Sequence, residues 1–349
     1  MTLTELINHH AQQLEQAGVA FGHGTTNAFD EAAWLTLWQL GLPLDTPLHT
    51  DNDATDAPQH DPITPDQQAQ VAALFEKRIA TRQPAAYLTR EAWLQGVPFY
   101  VDERVIIPRS LIAEVLAEGS IDVWLTADTH QVLDLCTGNG SLAVLAAMAW
   151  PDVQVVGADL SADALAVARI NVDKHELADR ITLVQSDGLA AFGANHAAQP
   201  PAQPTLPRQF DLILCNPPYV NADSMATLPP EFRAEPEMAL SGNTAGGTDG
   251  MDFIRPLLAQ APDHMTDDAV LVLEIGHERA YFEAAFPRLE AVWLDTSAGA
   301  DQVLLLTREA LVAWQANQHT HASEVDPCGP HSHHVASRDA LRATNGADA

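Results

Sequence analysis

The sequence predicts an α/β protein in which a small helical domain and a β-hairpin linker precede a domain built on seven strands. Three observations carry this reading. From Gln131 onward, short apolar runs alternate with segments of helical periodicity, the pattern of a parallel sheet with crossover helices. Residues 1–90 carry helical spacing instead. Between the two, Ala92–Ile107 alternates aromatic and polar residues around Gly96 and Pro98, and then around Asp102, as a short hairpin does. The expected units are 1–90 (helical), 91–108 (hairpin linker), 109–315 (sheet domain) and 316–349 (tail).

In the first unit Leu3, Leu6, Ile7 and Leu14 recur at helical spacing, and Ala32–Leu42 and Val71–Ile79 repeat the pattern. Asp45–Asp66 is rich in Asp, Pro and Thr and reads as a loop. Pro108-Arg109-Ser110 ends the hairpin, and Ser110 is placed to cap a helix over Leu111–Leu116. Strands are expected at Gln131–Cys136, Gln154–Asp159, Ile181–Gln185, Phe210–Cys215, Ala269–Ile275, Ala291–Leu294 and Gln302–Thr307. The helices among them include Leu142–Ala149, Ala162–Lys174, Met251–Ala261 and Arg279–Phe286. Ala197–Pro207, rich in Pro, Gln and Ala, reads as a surface insertion, and the polar, His-rich 316–349 as a disordered tail. His319, His321, Cys328, His331, His333 and His334 in that tail lack the spacing of a recognised metal site, so no metal is expected.

Asp and Glu number 47 against 17 Lys and Arg, a formal charge of −30 over 349 residues. That balance argues against nucleic acid as the main partner, because phosphate backbones need cationic surfaces, and it suits a basic protein. No Lys or Arg precedes Lys77, whereas Glu5, Glu15, Asp30, Glu31 and several linker aspartates do. Such a surface is either a solvated acidic face or a docking face for a basic protein, and its one-sidedness favours docking. Cys136, Cys215 and Cys328 show no ligand spacing, which fits a reducing cytoplasm. Neither a signal peptide nor an apolar run of membrane length is evident, so the expectation is a cytoplasmic protein without a membrane partner.

The chemistry concentrates at strand ends. The apolar run from Phe210 stops abruptly in Asn216-Pro217-Pro218-Tyr219. A residue before proline is pushed to extended backbone, so Asn216 is nearly fixed, and the prolines offer carbonyl acceptors with no N–H of their own. An amide, rigid carbonyls and an aromatic face form a cradle for a planar amide or amino group. Leu133-Asp-Leu-Cys-Thr137-Gly138-Asn139-Gly140 follows the first strand and opens a helix, where glycines let backbone approach a ligand. Asp159 ends the second strand, placed to accept both hydroxyls of a ribose, and Asp187 ends the third, near an adenine-type base. Taken singly, each acid reads as a helix cap or loop charge; three successive strand ends make coincidence a poor account. Gly138-x-Gly140-x-x-Ala143 also satisfies a dinucleotide fingerprint. The fourth strand decides, since it ends in an amide cradle rather than in a hydride-accepting site.

These residues resemble the S-adenosylmethionine-dependent N5-glutamine methyltransferases, whose hallmark is Asn-Pro-Pro-Tyr, over roughly residues 20–312. Within that family the chain is similar to the branch acting on large-subunit ribosomal protein L-three. Three stretches carry the closer likeness: Phe21–Glu31, Phe99–Ser110, and Leu228–Glu237 leading to Gly247–Gly250. The release-factor branch typically follows Pro-Arg with an acidic Thr-Glu segment, and here Pro-Arg-Ser-Leu-Ile stands instead. The resemblance implies a Rossmann-like seven-stranded domain, cofactor contacts at Thr137–Gly140, Asp159, Asp187 and Asn216, substrate contacts at Asn216, Pro217, Pro218 and Tyr219, and a basic ribosomal protein as substrate. Cys136 occupies a position often held by Gly.

The expected chemistry has the Asn216 oxygen and the Pro217 carbonyl accept the two hydrogens of a glutamine amide, with Tyr219 covering its plane. These are the expected catalytic residues, and no dedicated base is evident. Rival readings are a release-factor methyltransferase, an adenine-N6 nucleic-acid methyltransferase, for which the charge is wrong, and a non-catalytic S-adenosylmethionine-binding assembly factor, for which the cradle has no evident use.

Overall fold

The computed structural model describes residues 1–48, 63–193 and 206–324. Most of the expected loop at Asp45–Asp66 and of the insertion at Ala197–Pro207, and the tail beyond 324, lie outside the described residues.

The N-terminal helices start at local signals. Thr2 and Glu5 form a capping box that opens α1 (Leu3–Gln16), which buries Leu3, Leu6, Ile7, His10, Ala11 and Leu14. Asn27 caps α2 (Ala28–Leu40), and Gly41 ends it in the left-handed conformation. Thr64, Pro65 and Gln67 open α3 (Pro65–Thr81) with a second capping box, so the helix begins inside the stretch read as a loop. A short α4 (Ala85–Thr89) follows. Leu6, Ile7, Leu14, Leu35, Val71 and Phe75 form the core of this layer.

The hairpin is shorter than expected. β1 (Glu91–Leu94) pairs with β2 (Val97–Tyr100), and there the ladder stops. Asp102 turns the chain out of it: the carboxylate accepts from the Tyr100 hydroxyl at 2.9 Å, the Arg104 amide at 3.1 Å and the Arg104 guanidinium at 2.6 Å. The next helix, α5 (Ile112–Ala117), has Leu111 at its N-cap rather than Ser110. The Ser110 hydroxyl donates instead to Glu274, 164 residues away.

The sheet domain runs β3 (Gln131–Leu135), α6 (Ser141–Ala149), β4 (Gln154–Asp159), α7 (Ala162–Lys174), β5 (Ile181–Gln185), β6 (Phe210–Cys215), α8 (Ala222–Thr227), α9 (Ile254–Gln260), β7 (Met265–Glu274), α10 (Arg279–Ala285), β8 (Val292–Thr296), β9 (Gly299–Thr307) and α11 (Arg308–Glu324). Its strand order is β5-β4-β3-β6-β7-β9-β8. The first five strands are parallel as expected, but β9 lies antiparallel to both neighbours. The parallel reading fails at that edge because β8 and β9 are joined by a tight turn, whereas a parallel crossover needs a dozen residues or more. Alternate residues feed two cores, Val132, Leu212, Leu214 and Val270 on one face and Leu133, Ile213, Leu271 and Leu273 on the other. The tail expected from residue 316 begins instead as helix: α11 continues to Glu324, with Leu311 buried and the Trp314 ring centroid 5.8 Å from that of Phe286. No helix among the described residues is long and apolar enough to cross a membrane.

Candidate active site

Strand order reverses between β3 and β6, and in open α/β sheets the crevice beyond the carboxyl ends at such a point is where ligands bind. A cavity of about 440 Å³ lies there. Thr137, Gly138 and Asn139 line it, as do Asp159, Asp187, Asn216, Pro217, Pro218 and Tyr219. Gly140 is the exception among the expected residues. Its α-carbon faces α7, where an added Cβ would meet Ala168 at 3.1 Å, so it turns the chain into α6 behind the wall.

The loop after β3 is fixed by carboxylates. Asp159 accepts from the Gly138 and Ser161 amides, both at 2.9 Å, and burial pushes its carboxyl above the usual range. Asp134 lies deeper, accepting from the Thr137 hydroxyl and the Ala143 amide, while its Oδ1 has no partner. Burial pushes Asp134 up to about 7. Asn139 is buried and its Nδ2 is also without a partner. Cys136 takes a φ of 61°, a backbone that favours glycine. The residue lies half-buried on the cavity wall, and the neighbouring Cys215 together with desolvation pushes its thiol well up, which makes it a poor nucleophile.

The opposite wall starts at the end of β6. Asn216 is half-buried on the cavity surface. The Tyr219 ring rests against Gly276, where a Cβ would come within 2.6 Å of it, so only glycine admits the ring. The Tyr219 hydroxyl donates to Glu274 at 3.4 Å, and burial together with that carboxylate pushes the phenol up. Glu274 accepts from Ser110 and, at 2.9 Å, from the Leu111 amide, so it joins the loop before α5 to the Asn-Pro-Pro-Tyr turn. Farther along, the Asn221 amide group donates to both oxygens of Glu278, at 2.7 and 2.9 Å.

Three residues escaped the sequence reading. Glu274 carried a usable signal, since it is an acid ending an apolar strand, the rule that picked out Asp159. Asn171 carried none. It sits buried on α7, accepts from the Tyr100 amide at 2.7 Å and donates to the Tyr100 and Asn139 carbonyls at 2.9 Å each, clamping hairpin to loop. Glu235 is held by Arg109 and His23, partners that only the fold supplies.

The two walls suit S-adenosylmethionine. A buried amide nitrogen lacking a partner, a strand-end carboxylate facing the cavity and a glycine-opened loop fit a nucleoside bearing polar substituents. Comparison with known proteins agrees. A family model described as Methyltransferase small domain matches residues 119–228. A ribosomal protein uL3 glutamine methyltransferase from Bordetella pertussis is 49% identical over 312 residues, covering 89% of this chain and 96% of that protein. Its namesake from Burkholderia pseudomallei is 49% identical over 313 residues, covering 89% and 96%. That from Neisseria meningitidis serogroup B is 42% identical, covering 89% and 94%. At such identity over nearly the whole length, the chain belongs to the family of ribosomal protein uL3 glutamine methyltransferases, enzymes whose methyl donor is S-adenosylmethionine.

Proposed function

We propose that this enzyme methylates the N5 amide nitrogen of a glutamine in large-subunit ribosomal protein uL3. The observation that carries the reading is that Asn216–Tyr219 and the loops after β3, β4 and β5 wall one cavity. When bound there, S-adenosylmethionine supplies an electrophilic methyl group on sulfur. Thr137, Gly138 and Asn139 present backbone and amide to it, Asp159 takes its ribose, Asp187 stands by its base, and Gly140 shapes the loop. A glutamine amide is a poor nucleophile because its lone pair is delocalised into the carbonyl, so positioning must do most of the work. Asn216 Oδ1 and the Pro217 carbonyl accept the two amide hydrogens. They aim the nitrogen at the methyl group and favour the positive charge that builds on it. Tyr219, tethered by Glu274, covers the amide plane and excludes water, with Pro218 holding the turn.

The partner is a basic protein. Glu5, Glu15, Asp30, Asp66 and Glu76 stand exposed on the N-terminal helices, a face suited to lysine-rich surfaces. Glu31 does not belong to that face, because it is buried against Arg78. The site of action is the cytoplasm, where a ribosomal protein is available before and during assembly. Neither nucleic acid nor membrane is the partner. The test is incubation with labelled S-adenosylmethionine and separated ribosomal components. Label is expected on the uL3 band and, after digestion, on a glutamine; label on a release factor or on ribosomal RNA instead overturns the reading.

A further inference from the structure

The three stretches singled out in the sequence meet at one place. Glu235 accepts from the Arg109 guanidinium at 2.6 and 2.8 Å and from the Ile107 amide at 2.9 Å. His23 Nε2 lies 3.4 Å from its Oε2, the oxygen that also takes the 2.8 Å bond from Arg109. Phe232 packs against His23 with ring centroids 4.2 Å apart and planes tilted by 45°, under Arg109 at 5.5 Å, and an added Cβ on Gly22 would meet that ring at 3.0 Å. Four residues before Glu235, the fully buried Glu231 pairs with Arg82 at 2.8 Å and faces Arg78 at 3.7 Å. Arg78 also bonds Glu31 on α2 at 2.8 Å and the Ala20 carbonyl at 3.2 Å, and Arg82 holds the Ala17 carbonyl at 2.8 Å. Two buried carboxylates thus clasp the 229–237 segment to the N-terminal helices and to the loop before α5.

Immediately beyond this clasp the chain becomes cavity wall. Pro236, Met238, Ala239, Leu240 and Thr244 line the cavity, and the Val220 amide donates to the Leu240 carbonyl at 2.9 Å, directly after Tyr219. Buried ion pairs are poor sources of net stability, because desolvation offsets their attraction, so their best-attested use is to fix one arrangement over others. We propose that Glu231 and Glu235 are specificity-determining positioning residues: through them the N-terminal helices set the wall beside Asn216 and so select which glutamine-bearing protein is methylated. This deepens, and rests on, the glutamine-methylation reading above.

The test uses the full-length chain carrying Glu235→Gln, Glu231→Gln or, as a partly exposed variant safer for folding, Arg82→Gln. Purified uL3 serves as acceptor and S-adenosylhomocysteine as the probe of the cofactor side. The expected result is a loss of about ten-fold in kcat/KM on uL3, carried mainly by KM, with S-adenosylhomocysteine affinity unchanged within about three-fold. Hydrogen exchange gives a readout that needs no acceptor: 20–27 and 231–242 exchange faster in the variants, while 137–140 keep wild-type protection. Unchanged exchange in 231–242, unchanged KM in all three variants, or a fall in S-adenosylhomocysteine affinity equal to the rise in KM overturns the proposal. If the wild-type chain leaves uL3 unlabelled, it is the functional reading that falls, and the exchange arm still decides whether the clasp exists.

Discussion

On one wall of the cavity Asp159 holds the amides of Gly138 and Ser161, 21 and 2 residues away; on the other, Arg109 reaches Glu235 across 126 residues and Ser110 reaches Glu274 across 164. The first wall, the proposed nucleoside side, is built mainly from neighbouring strand ends. The second, the proposed acceptor side, is assembled from four distant segments, and buried charge pins it. A wall of the first kind tolerates change elsewhere in the chain, since its contacts travel with the sheet. The second kind ties acceptor choice to the helices around it, which suits an enzyme that must recognise one protein.

The comparison is broken most sharply at Asn216. Asn216→Ala removes the proposed acceptor for one amide hydrogen, so turnover should fall by at least ~100-fold while S-adenosylmethionine affinity stays within a few fold. Single-turnover kinetics on uL3 measure the first and calorimetry the second. Near-normal turnover would leave Asn216 as a turn residue only. Asn216→Asp keeps an acceptor oxygen but adds a charge, and residual activity there would show how much acceptance alone contributes.

Asp159→Ala probes the opposite wall. It removes the proposed ribose acceptor together with the acceptor of two backbone amides, and cofactor binding should weaken by about 1.5–3 kcal/mol. KM for uL3, measured at saturating cofactor, should barely move. Wild-type affinity by calorimetry would remove Asp159 from the site.

That contrast also explains what the sequence could show. β4, α7, β5 and β6 fall where periodicity places them, because each is a local pattern with its own breakers. Thr137, Gly138, Asn139, Asp159, Asp187 and Asn216 reach one cavity because a parallel sheet delivers its carboxyl ends to one edge, whatever the loops do. Gly140 shows the limit of that rule: spacing marks a glycine, but only packing against Ala168 tells which side it serves. Glu31 shows it again, since an acid on an amphipathic helix looks solvated until Arg78, 47 residues on, is found beneath it. Glu235 and Asn171 have partners set by tertiary packing alone, and no periodicity encodes them.

The smallest effect separates the two walls by pH. Asp134 and Glu235 are both buried carboxylates, displaced in opposite directions. Burial without a cation raises Asp134 to about 7, whereas Glu235, despite its burial, is held down at about 2 by Arg109 and His23. A raised carboxyl favours the protonated fold. Its stabilisation is full below the unfolded value near 3.8 and is lost as pH rises toward 7. A depressed one works in reverse: Glu235 contributes above the unfolded value near 4.5 and loses that contribution as pH falls through about 2. Between pH 5 and 7, therefore, Asp134 tilts the stability profile and Glu235 does not. Asp134→Asn should make the decline with rising pH shallower by up to ~1 kcal/mol per unit across that window, the scale set by one proton per unit. Glu235→Gln should leave the slope there alone and alter it only under acid conditions. Denaturant titrations at pH 5, 6 and 7 read the slopes directly, and a change of slope is insensitive to whatever constant cost the new amide brings to the unpartnered oxygen site. If Asp134→Asn leaves the slope untouched, Asp134 is ionised throughout, and the loop after β3 must hold a buried charge through groups beyond Thr137 and Ala143.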